Sequence, residues 1–352
     1  MSRTSHVTIG VPVYQGELFI EETLRSIQSQ THRDIEVLIS LDGPEPASEE
    51  LCRPFLKDSR FRLVIQPERL GWVGNINWLM SQVETPYWYY HQQDDLVDPR
   101  YVEVLLDYAQ RTPEAAVVYC DIEAFGLQSW KYAQPSVTGG ASARQLTLLY
   151  EHHPAVAFRG LTRVEALRHS GGIRTNEVEN FSADTTWMAA IARWGELRRV
   201  PVEMYRKRYH AGNEHVKWST WPAEKRARAW TIHCADMLEQ AMLVEATTQE
   251  RRLLWLAAVA RLVSPRTASG YLPVASLASA ERMSLLNAFF EHLRTTRRTD
   301  IPGLLEASWK NIQQWTRGFY WLPSEAQRGP AGSETLSMKL RTFRFWKRKE
   351  RL

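Results

Sequence analysis

The sequence is poor in cysteine, with three among its 352 residues: Cys52, Cys120 and Cys234. Because these residues are far apart and odd in number, they provide neither a disulfide framework nor the ligand spacing of a zinc site. Sparse, unpaired cysteines favour a reducing compartment. We therefore expect the protein to be cytoplasmic.

Long apolar segments are also absent. The first ten residues contain no apolar stretch of the kind found in signal peptides. The longest apolar run, from Leu253 to Val263, is much shorter than a membrane span and contains Arg261. We therefore expect a chain that neither crosses a membrane nor is exported by an ordinary signal.

The excess of charge is small and local. The formal net charge is +4, and seven basic residues against one acid lie between Lys339 and Leu352. A local excess of this kind argues against a general nucleic-acid-binding protein. Apolar residues recur in the same tail at helical spacing, which predicts an amphipathic helix on an anionic membrane surface at the inner face of the membrane. A disordered or self-docked basic tail is the plainer alternative. The apolar residues are Leu336, Leu340, Phe343 and Trp346.

Short apolar runs rich in β-branched residues recur at nearly even intervals through the first 120 residues. Segments with helical spacing separate them. This alternation predicts strand–helix–strand units and therefore a parallel, doubly wound α/β sheet. The runs begin near His6, Ile35, Phe61, Tyr87 and Ala115.

The α/β pattern continues to about residue 220 and then becomes almost entirely helical. Gly171 and Gly172 are expected to end one helix, and Asn180 or Ser182 to cap another. We predict an α/β domain over residues 1–220, divided into halves at residue 120, a helical region over 221–335 and a basic amphipathic tail over 336–352.

Two of the predicted strands end in carboxylates. The strand from Ile35 leads into Asp42, and the strand from Tyr87 leads into Asp94 and Asp95. Ligands of an open parallel sheet bind beyond the carboxyl ends of its strands. An Asp-Gly pair after a strand is also a common turn, so Asp42 alone has two interpretations. Adjacent carboxylates repel each other unless a cation lies between them and a polyanion, so Asp94 and Asp95 predict a divalent metal beside a phosphate-bearing ligand.

The turn after the first strand argues against two other enzyme classes. A dinucleotide-dependent oxidoreductase needs a glycine triplet there, so that a pyrophosphate can approach a helix N-terminus. A nucleotidyltransferase would need a glycine-rich, basic loop at the same place. The sequence instead has Pro12-Val13-Tyr14-Gln15-Gly16, whose aromatic side chain is better suited to stacking beside a base.

Taken in order, these segments resemble the donor-binding half of family 2 glycosyltransferases. The resemblance runs from about His6 to Gly212, and the ordered set of motifs is much more specific than any single one. It rests on residues 7–14, 24–31, 35–43, 71–77 and 92–99.

This resemblance implies the GT-A fold, a mostly parallel sheet flanked by helices, here followed by a mainly helical region. It also implies an inverting enzyme with a divalent metal, Mn²⁺ or Mg²⁺. The implied donor is a UDP-, dTDP- or GDP-sugar, and the implied acceptor is a hydroxyl of a glycan or lipid-linked molecule, as in polysaccharide biosynthesis.

The resemblance also assigns roles to particular residues. Asp184 would be the general base that takes the proton of the acceptor hydroxyl, although an acid in the first turn of a helix is also favoured by the helix dipole alone. The segment from Tyr205 to His210 would approach the diphosphate or metal, unless it is a solvated edge strand. Donor binding is implied for Pro12, Tyr14, Asp42, Arg69, Asn77, Gln92, Arg206 and Arg208, and metal binding for Asp94, Asp95 and His210.

Three positions depart from the family pattern. Gln92 replaces the first acid of the metal motif, Ala183 replaces the acid before the catalytic Asp, and Ile76 replaces a basic residue. Gln92 lacks charge, so it reduces the expected affinity for metal. These departures leave open a second function, a module that binds a nucleotide sugar or a partner without turnover.

Overall fold

The computed structural model describes residues 6–150, 156–263 and 279–296, all within one compact unit. The predicted tail over residues 336–352 lies outside the described residues. Among the helices that are described, none is long and apolar enough to span a bilayer.

The sheet begins as the sequence predicts. Strands start at or within one residue of each of the five predicted positions, which confirms the strand–helix alternation of the first 120 residues. The strands are β1 (Val7–Val13), β2 (Ile35–Leu41), β3 (Phe61–Ile65), β4 (Tyr87–Tyr90), β5 (Leu96–Val97), β6 (Ala115–Gly126), β7 (Trp130–Tyr132), β8 (Leu161–Arg163) and β9 (Glu196–Tyr209).

The strands form one mixed sheet in the order β3-β2-β1-β4-β8-β6-β9-β5, with β7 paired to β6. The first four of these are parallel, as predicted. Beyond β4 the sheet becomes mixed, because β8 pairs antiparallel with both β4 and β6. The parallel pairing of β6 with β9 then resumes the original direction. The sheet therefore joins the first 90 residues to residues 196–209.

Helices cover the sheet and make up most of the described chain after residue 220. The glycine pair ends α6, where Gly171 adopts a positive φ of 76°. Ser182 precedes α7, but its side chain forms no capping hydrogen bond. The helices are α1 (Ile20–Gln28), α2 (Pro46–Cys52), α3 (Gly71–Ser81), α4 (Tyr101–Arg111), α5 (Ala141–Tyr150), α6 (Val164–Ser170), α7 (Ala183–Ile191), α8 (Glu214–Ser219), α9 (Ala223–Met242), α10 (Thr248–Val263) and α11 (Ser279–Thr296).

The helices after residue 220 pack directly on the α/β part. Arg193, just after α7, donates to Gln240 of α9 at 3.0 Å, and Arg174 pairs with Glu239 at 2.7 Å. The described helices thus cover the side of the sheet that carries α5 and α7. The predicted boundary at residue 220 marks a change of secondary structure, and its status as a domain boundary stays a prediction.

The core of the sheet is built around a close approach of β1 to β4. Thr8 lies beside Trp88 in the register, and the Trp88 ring covers Gly10. A Cβ atom on Gly10 would lie 2.0 Å from Cη2 of Trp88, so only glycine fits under this ring. Strands buried on both faces favour apolar, β-branched residues, which is why β1 and β2 could be predicted from composition.

Candidate functional site

A cleft of about 860 Å³ opens at the carboxyl ends of the central strands. This is where an open α/β sheet places its ligands. The cleft brings together seven predicted site residues from five segments of the chain. They are Pro12, Tyr14, Asp42, Arg69, Gln92, Asp94 and His210, and the predicted base Asp184 also lines the cleft.

One end of the cleft is formed by the turns after β1 and β2. The guanidinium of Arg69 stacks 3.9 Å above the centre of the Tyr14 ring. Asp42 is buried, and its Oδ1 accepts the Leu70 N–H at 2.6 Å. Gln93 accepts the Tyr14 N–H at 2.7 Å and donates back to the Tyr14 carbonyl at 2.8 Å, which fixes the aromatic turn. A planar ring, a cation and a carboxylate together suit a nucleobase.

The centre of the cleft holds Asp94 next to His210. His210 Nε2 lies 2.8 Å from Asp94 Oδ2, and the Asn213 side-chain amide lies 3.2 Å from the same oxygen. The imidazole packs against the Phe19 ring, with the centroids 4.9 Å apart. Two ligands of one octahedral cation lie roughly 3 Å apart, so this carboxylate and imidazole fit a shared divalent ion.

Asp95 does not join them, which corrects its assignment as a metal ligand. Its side chain has no exposed surface; Oδ2 accepts the Tyr205 hydroxyl at 2.7 Å and Oδ1 accepts the Arg208 main-chain N–H at 2.8 Å. Burial raises the pKa of this carboxyl to about 6. Asp95 therefore ties β9 to the loop after β4, whereas its neighbour Asp94 lines the cleft.

Within the described residues, no group of three or more His, Cys, Asp or Glu side chains is arranged around a common metal position. Of the three predicted metal ligands, Asp94, Asp95 and His210, only Asp94 and His210 are therefore placed to share a cation. A cation held there would need further oxygen ligands from water or from a phosphate, as Mg²⁺ normally has.

Asp184 lies in the first turn of α7 and faces the cleft. Its Oδ1 accepts the Thr185 N–H at 2.8 Å, which fixes the carboxylate against the helix start. Burial raises its pKa, and the positive charges of Arg159 and Lys207 partly oppose that effect. A carboxylate that takes up a proton more readily than usual is suited to proton abstraction.

Two cations in the cleft were missed from the sequence. Lys207 of β9 lines the cleft, and burial together with repulsion by Arg159 lowers its pKa to about 8. Arg159 is almost enclosed and donates a hydrogen bond to Gln92. No sequence signal marked Arg159, and Lys207 was missed because the sequence does not show which alternate residues of β9 face the cleft.

The predicted phosphate ligands Arg206 and Arg208 do not line the cleft, because side chains alternate along a strand. Residues 207 and 209 of β9 face the cleft, so 206 and 208 face away. Both guanidinium groups instead stack on Phe125, at 4.6 and 4.5 Å from the ring centre. Arg208 still supports the site, because its Nε donates to the Asp94 carbonyl at 2.9 Å.

Asn77 also lies away from the cleft, on the opposite side of α3. Its amide nitrogen donates to the Ile173 carbonyl at 2.8 Å, and its oxygen accepts the Ile173 N–H at 2.9 Å. It therefore joins α3 to the turn after α6, instead of contacting a donor. The residue of α3 that faces the cleft at this level is Ile76.

The fold defines the class of the protein, a GT-A domain. The structure is similar to that of TarS from S. aureus in complex with UDP, with a TM-score of 0.58 and 13% identity over 92% of this chain and 95% of that chain. It is also similar to the mannosyltransferase PcManGT from Pyrobaculum calidifontis in complex with GDP-Man and Mn²⁺, with a TM-score of 0.50 and 17% identity over 89% and 83% of the two chains.

Sequence comparison points to one family of enzymes. Residues 8–171 match the sequence model of glycosyl transferase family 2. EpsH of Bacillus subtilis (strain 168) is 32% identical over 239 residues, which are 67% of this chain and 64% of EpsH. The glycosyltransferase GlyA of Streptococcus pneumoniae serotype 4 is 32% identical over 99 residues, 28% of this chain and 14% of GlyA. The chain thus spans less than two thirds of either relative.

Proposed function

We propose that this protein is an inverting glycosyltransferase that moves a sugar from a nucleoside diphosphate to a hydroxyl group of an acceptor glycan or lipid-linked glycan. The observation that carries the proposal is the arrangement of one cleft, with Tyr14, Asp42 and Arg69 at one end and Asp94 and Asp184 further along it. The match of residues 8–171 to the sequence model of glycosyl transferase family 2 supports the same reaction class.

The donor would lie along the cleft with its base at the Tyr14 end. The Tyr14 ring offers a stacking surface, and the Asp42 carboxylate accepts hydrogen bonds from base N–H groups. Arg69 already contacts both residues, since its Nε lies 3.9 Å from Asp42 Oδ2. Uracil, thymine and guanine each carry a ring N–H, so this end does not choose among UDP-, dTDP- and GDP-sugars.

Asp94 and His210 would hold a divalent cation, Mn²⁺ or Mg²⁺, at the diphosphate. The 2.8 Å separation of their ligating atoms fits this assignment. When bound, the ion would supply positive charge that stabilises the departing diphosphate. PcManGT, which has the same fold, is in complex with Mn²⁺.

Lys207 and Arg159 would add fixed positive charge beside the diphosphate. Lys207 has no carboxylate within ion-pairing distance among the described residues, although three carboxylates act on it at longer range. A half-buried ammonium group without a close counter-ion favours an anionic ligand. These cations compensate for Gln92, which brings no charge to the metal motif.

Asp184 would act as the general base on the acceptor side. It would take the proton of the acceptor hydroxyl while that oxygen attacks the anomeric carbon on the face opposite the diphosphate. Direct attack of this kind inverts the anomeric centre, and no covalent sugar–enzyme intermediate is needed.

A nucleotide-sugar-binding module without turnover is the second candidate, and the neutral residues Gln92 and Ala183 favour it. Calorimetric titration with UDP, dTDP and GDP, with and without Mn²⁺, followed by assays of nucleoside diphosphate release from the matching sugars, separates the two. Metal-dependent binding with sugar transfer supports the transferase. Binding without release from any donor supports the module, and absence of nucleotide binding contradicts both.

A further inference from the structure

The far side of the cleft carries a cluster of three aromatic side chains, Trp130 and Tyr132 of β7 and Tyr209 of β9, which we name the aromatic platform. All three line the cleft and are half-exposed. The Trp130 ring meets the rings of Tyr132 and Tyr209 edge to face, with centroids 5.3 and 5.5 Å away. Such contacts fix the orientation of the rings.

The strand register explains why these side chains share one face. Residues that pair across neighbouring strands point to the same side of the sheet. Trp130 pairs with Ala124, and Ala124 pairs with Lys207 on its other side. Trp130 and Lys207 therefore lie on the same face of the sheet, on either side of the buried Ala124 side chain.

A glycine allows the third ring to complete the platform. Gly126 pairs with Tyr209 and has φ of 95°. A Cβ atom there would lie 2.5 Å from the Tyr209 carbonyl oxygen, so any other residue would displace this end of β9. Lys207 Nζ in turn lies 4.7 Å from the centre of the Tyr209 ring. The platform is therefore adjacent to the charged centre of the cleft.

The platform lies too far across the sheet to serve the nucleobase. The base end is formed after β1 and β2. β7 pairs along the same edge of β6 as β8, two strands from β1, and β9 lies along the other edge, four strands from β1. Two and four strand spacings amount to roughly 10 and 19 Å. Asp94 follows β4, which lies between the base end and the platform. A donor whose diphosphate lies at Asp94 therefore leaves the platform free for the acceptor.

We propose that the aromatic platform binds a pyranose ring of the acceptor, which makes the acceptor a saccharide. This inference rests on the proposed transferase function. The axial C–H groups of a pyranose carry partial positive charge and form an apolar face, which complements the negative face of an indole or phenol ring. Its hydroxyl groups lie around the rim, where one of them reaches Asp184. A lipid chain or a peptide offers no comparable flat face edged with hydroxyls.

Trp130→Ala tests the proposal, with Trp194→Ala as the matched control. Trp194 is also a tryptophan with an exposed ring, 49% accessible, but it stacks on His169 and does not line the cleft. Trp130→Phe retains a smaller ring face. Binding of methyl α- and β-pyranosides of glucose, galactose, mannose and N-acetylglucosamine would be measured by saturation-transfer NMR in the presence of UDP or GDP with Mn²⁺.

We expect at least one pyranoside to bind the wild type and the Trp194→Ala variant equally well. Its dissociation constant should rise about tenfold or more in Trp130→Ala and less in Trp130→Phe, the size of effect typical of a central aromatic contact. The affinity for UDP or GDP should stay within about twofold in all variants.

Three outcomes would overturn the proposal. The first is that no pyranoside binds the wild type, and the second is that Trp130→Ala and Trp194→Ala behave alike. The third is that Trp130→Ala weakens a nucleotide sugar without weakening any pyranoside, since the platform would then hold the donor sugar. If the wild type binds no nucleotide, the proposed function itself is contradicted. Failure of the proposed function is therefore distinguishable from failure of the acceptor proposal.

Discussion

Replacement of Asp184 by Asn tests the proposed reaction most directly. The amide has nearly the same shape, and its oxygen can still accept the Thr185 N–H that Asp184 accepts at 2.8 Å. The fold and the start of α7 should therefore be retained. The change removes the proton acceptor and leaves the rest of the cleft in place.

The expected loss follows from the size of general-base catalysis. A well-placed base contributes about 10²–10⁴-fold, which corresponds to about 3–5.5 kcal/mol at 1.36 kcal/mol per tenfold. We expect kcat for Asp184→Asn to fall about 10³-fold, with the donor KM within about threefold of wild type. Nucleoside diphosphate release from the donor that binds, with a saccharide acceptor present, measures both constants.

The pH profile adds a second readout. Because burial raises the pKa of Asp184, its basic form is lost as the pH falls through that raised pKa. Wild-type kcat should therefore decrease on the acid side at a higher pH than it would for an exposed aspartate. The residual activity of Asp184→Asn should lack this decrease, because the amide does not titrate.

Asp107→Asn is the control for removal of a carboxylate. Asp107 is exposed on α4 and pairs with Arg111 on the same helix, so its loss should leave kcat nearly unchanged. The reasoning is refuted if Asp184→Asn keeps kcat within threefold of wild type. It is equally refuted if that variant loses nucleotide affinity to the same extent as activity.

Three further predictions concern other parts of the structure. Asp94→Asn should weaken binding of UDP or GDP at least tenfold in the presence of Mn²⁺ and abolish the difference that Mn²⁺ makes, as measured by calorimetry; an unchanged affinity would contradict the metal assignment. The donor KM of the wild type should rise as the pH exceeds about 8, where Lys207 loses its charge, and the Lys207→Arg variant should show no such rise; parallel profiles would exclude Lys207 from donor binding. Gly10→Ala should lower the free energy of unfolding by about 1–3 kcal/mol because of its clash with Trp88, whereas Gly140→Ala, which meets no atom within 4 Å, should not; equal denaturation midpoints would refute the packing argument.

The start of the sheet could be predicted from sequence because β1, β2 and β4 are buried on both faces. Runs of β-branched and apolar residues mark such strands, and β1 to β4 all begin where these runs begin. The three-residue strand β8 has too few residues to form a pattern. Its insertion between β4 and β6 is a property of tertiary packing, so the residue pattern of the first 120 residues does not reveal it.

Site residues that directly follow the end of a strand could be predicted from the sequence. Site residues within a strand were missed, because their role depends on which alternate residues of that strand face the cleft. Asp94 and His210 are 116 residues apart, yet both were selected by their motifs and lie within hydrogen-bonding distance. The phase of β9 was assigned one residue out, so Arg206 and Arg208 were selected in place of Lys207. Two register shifts between β6 and β9 near Asp121 make that phase hard to read from sequence.

The position of β8 has a consequence for any attempt to divide this protein. A fragment that stops at residue 120 would contain β4 and part of β6 but neither β8 nor β9, which separate and flank them in the sheet. Both strands would then expose unpaired N–H and C=O groups along an edge, which favours aggregation. The two predicted halves, residues 1–120 and 121–220, lie in one compact unit, and we expect that neither can be obtained by itself as a monodisperse sample.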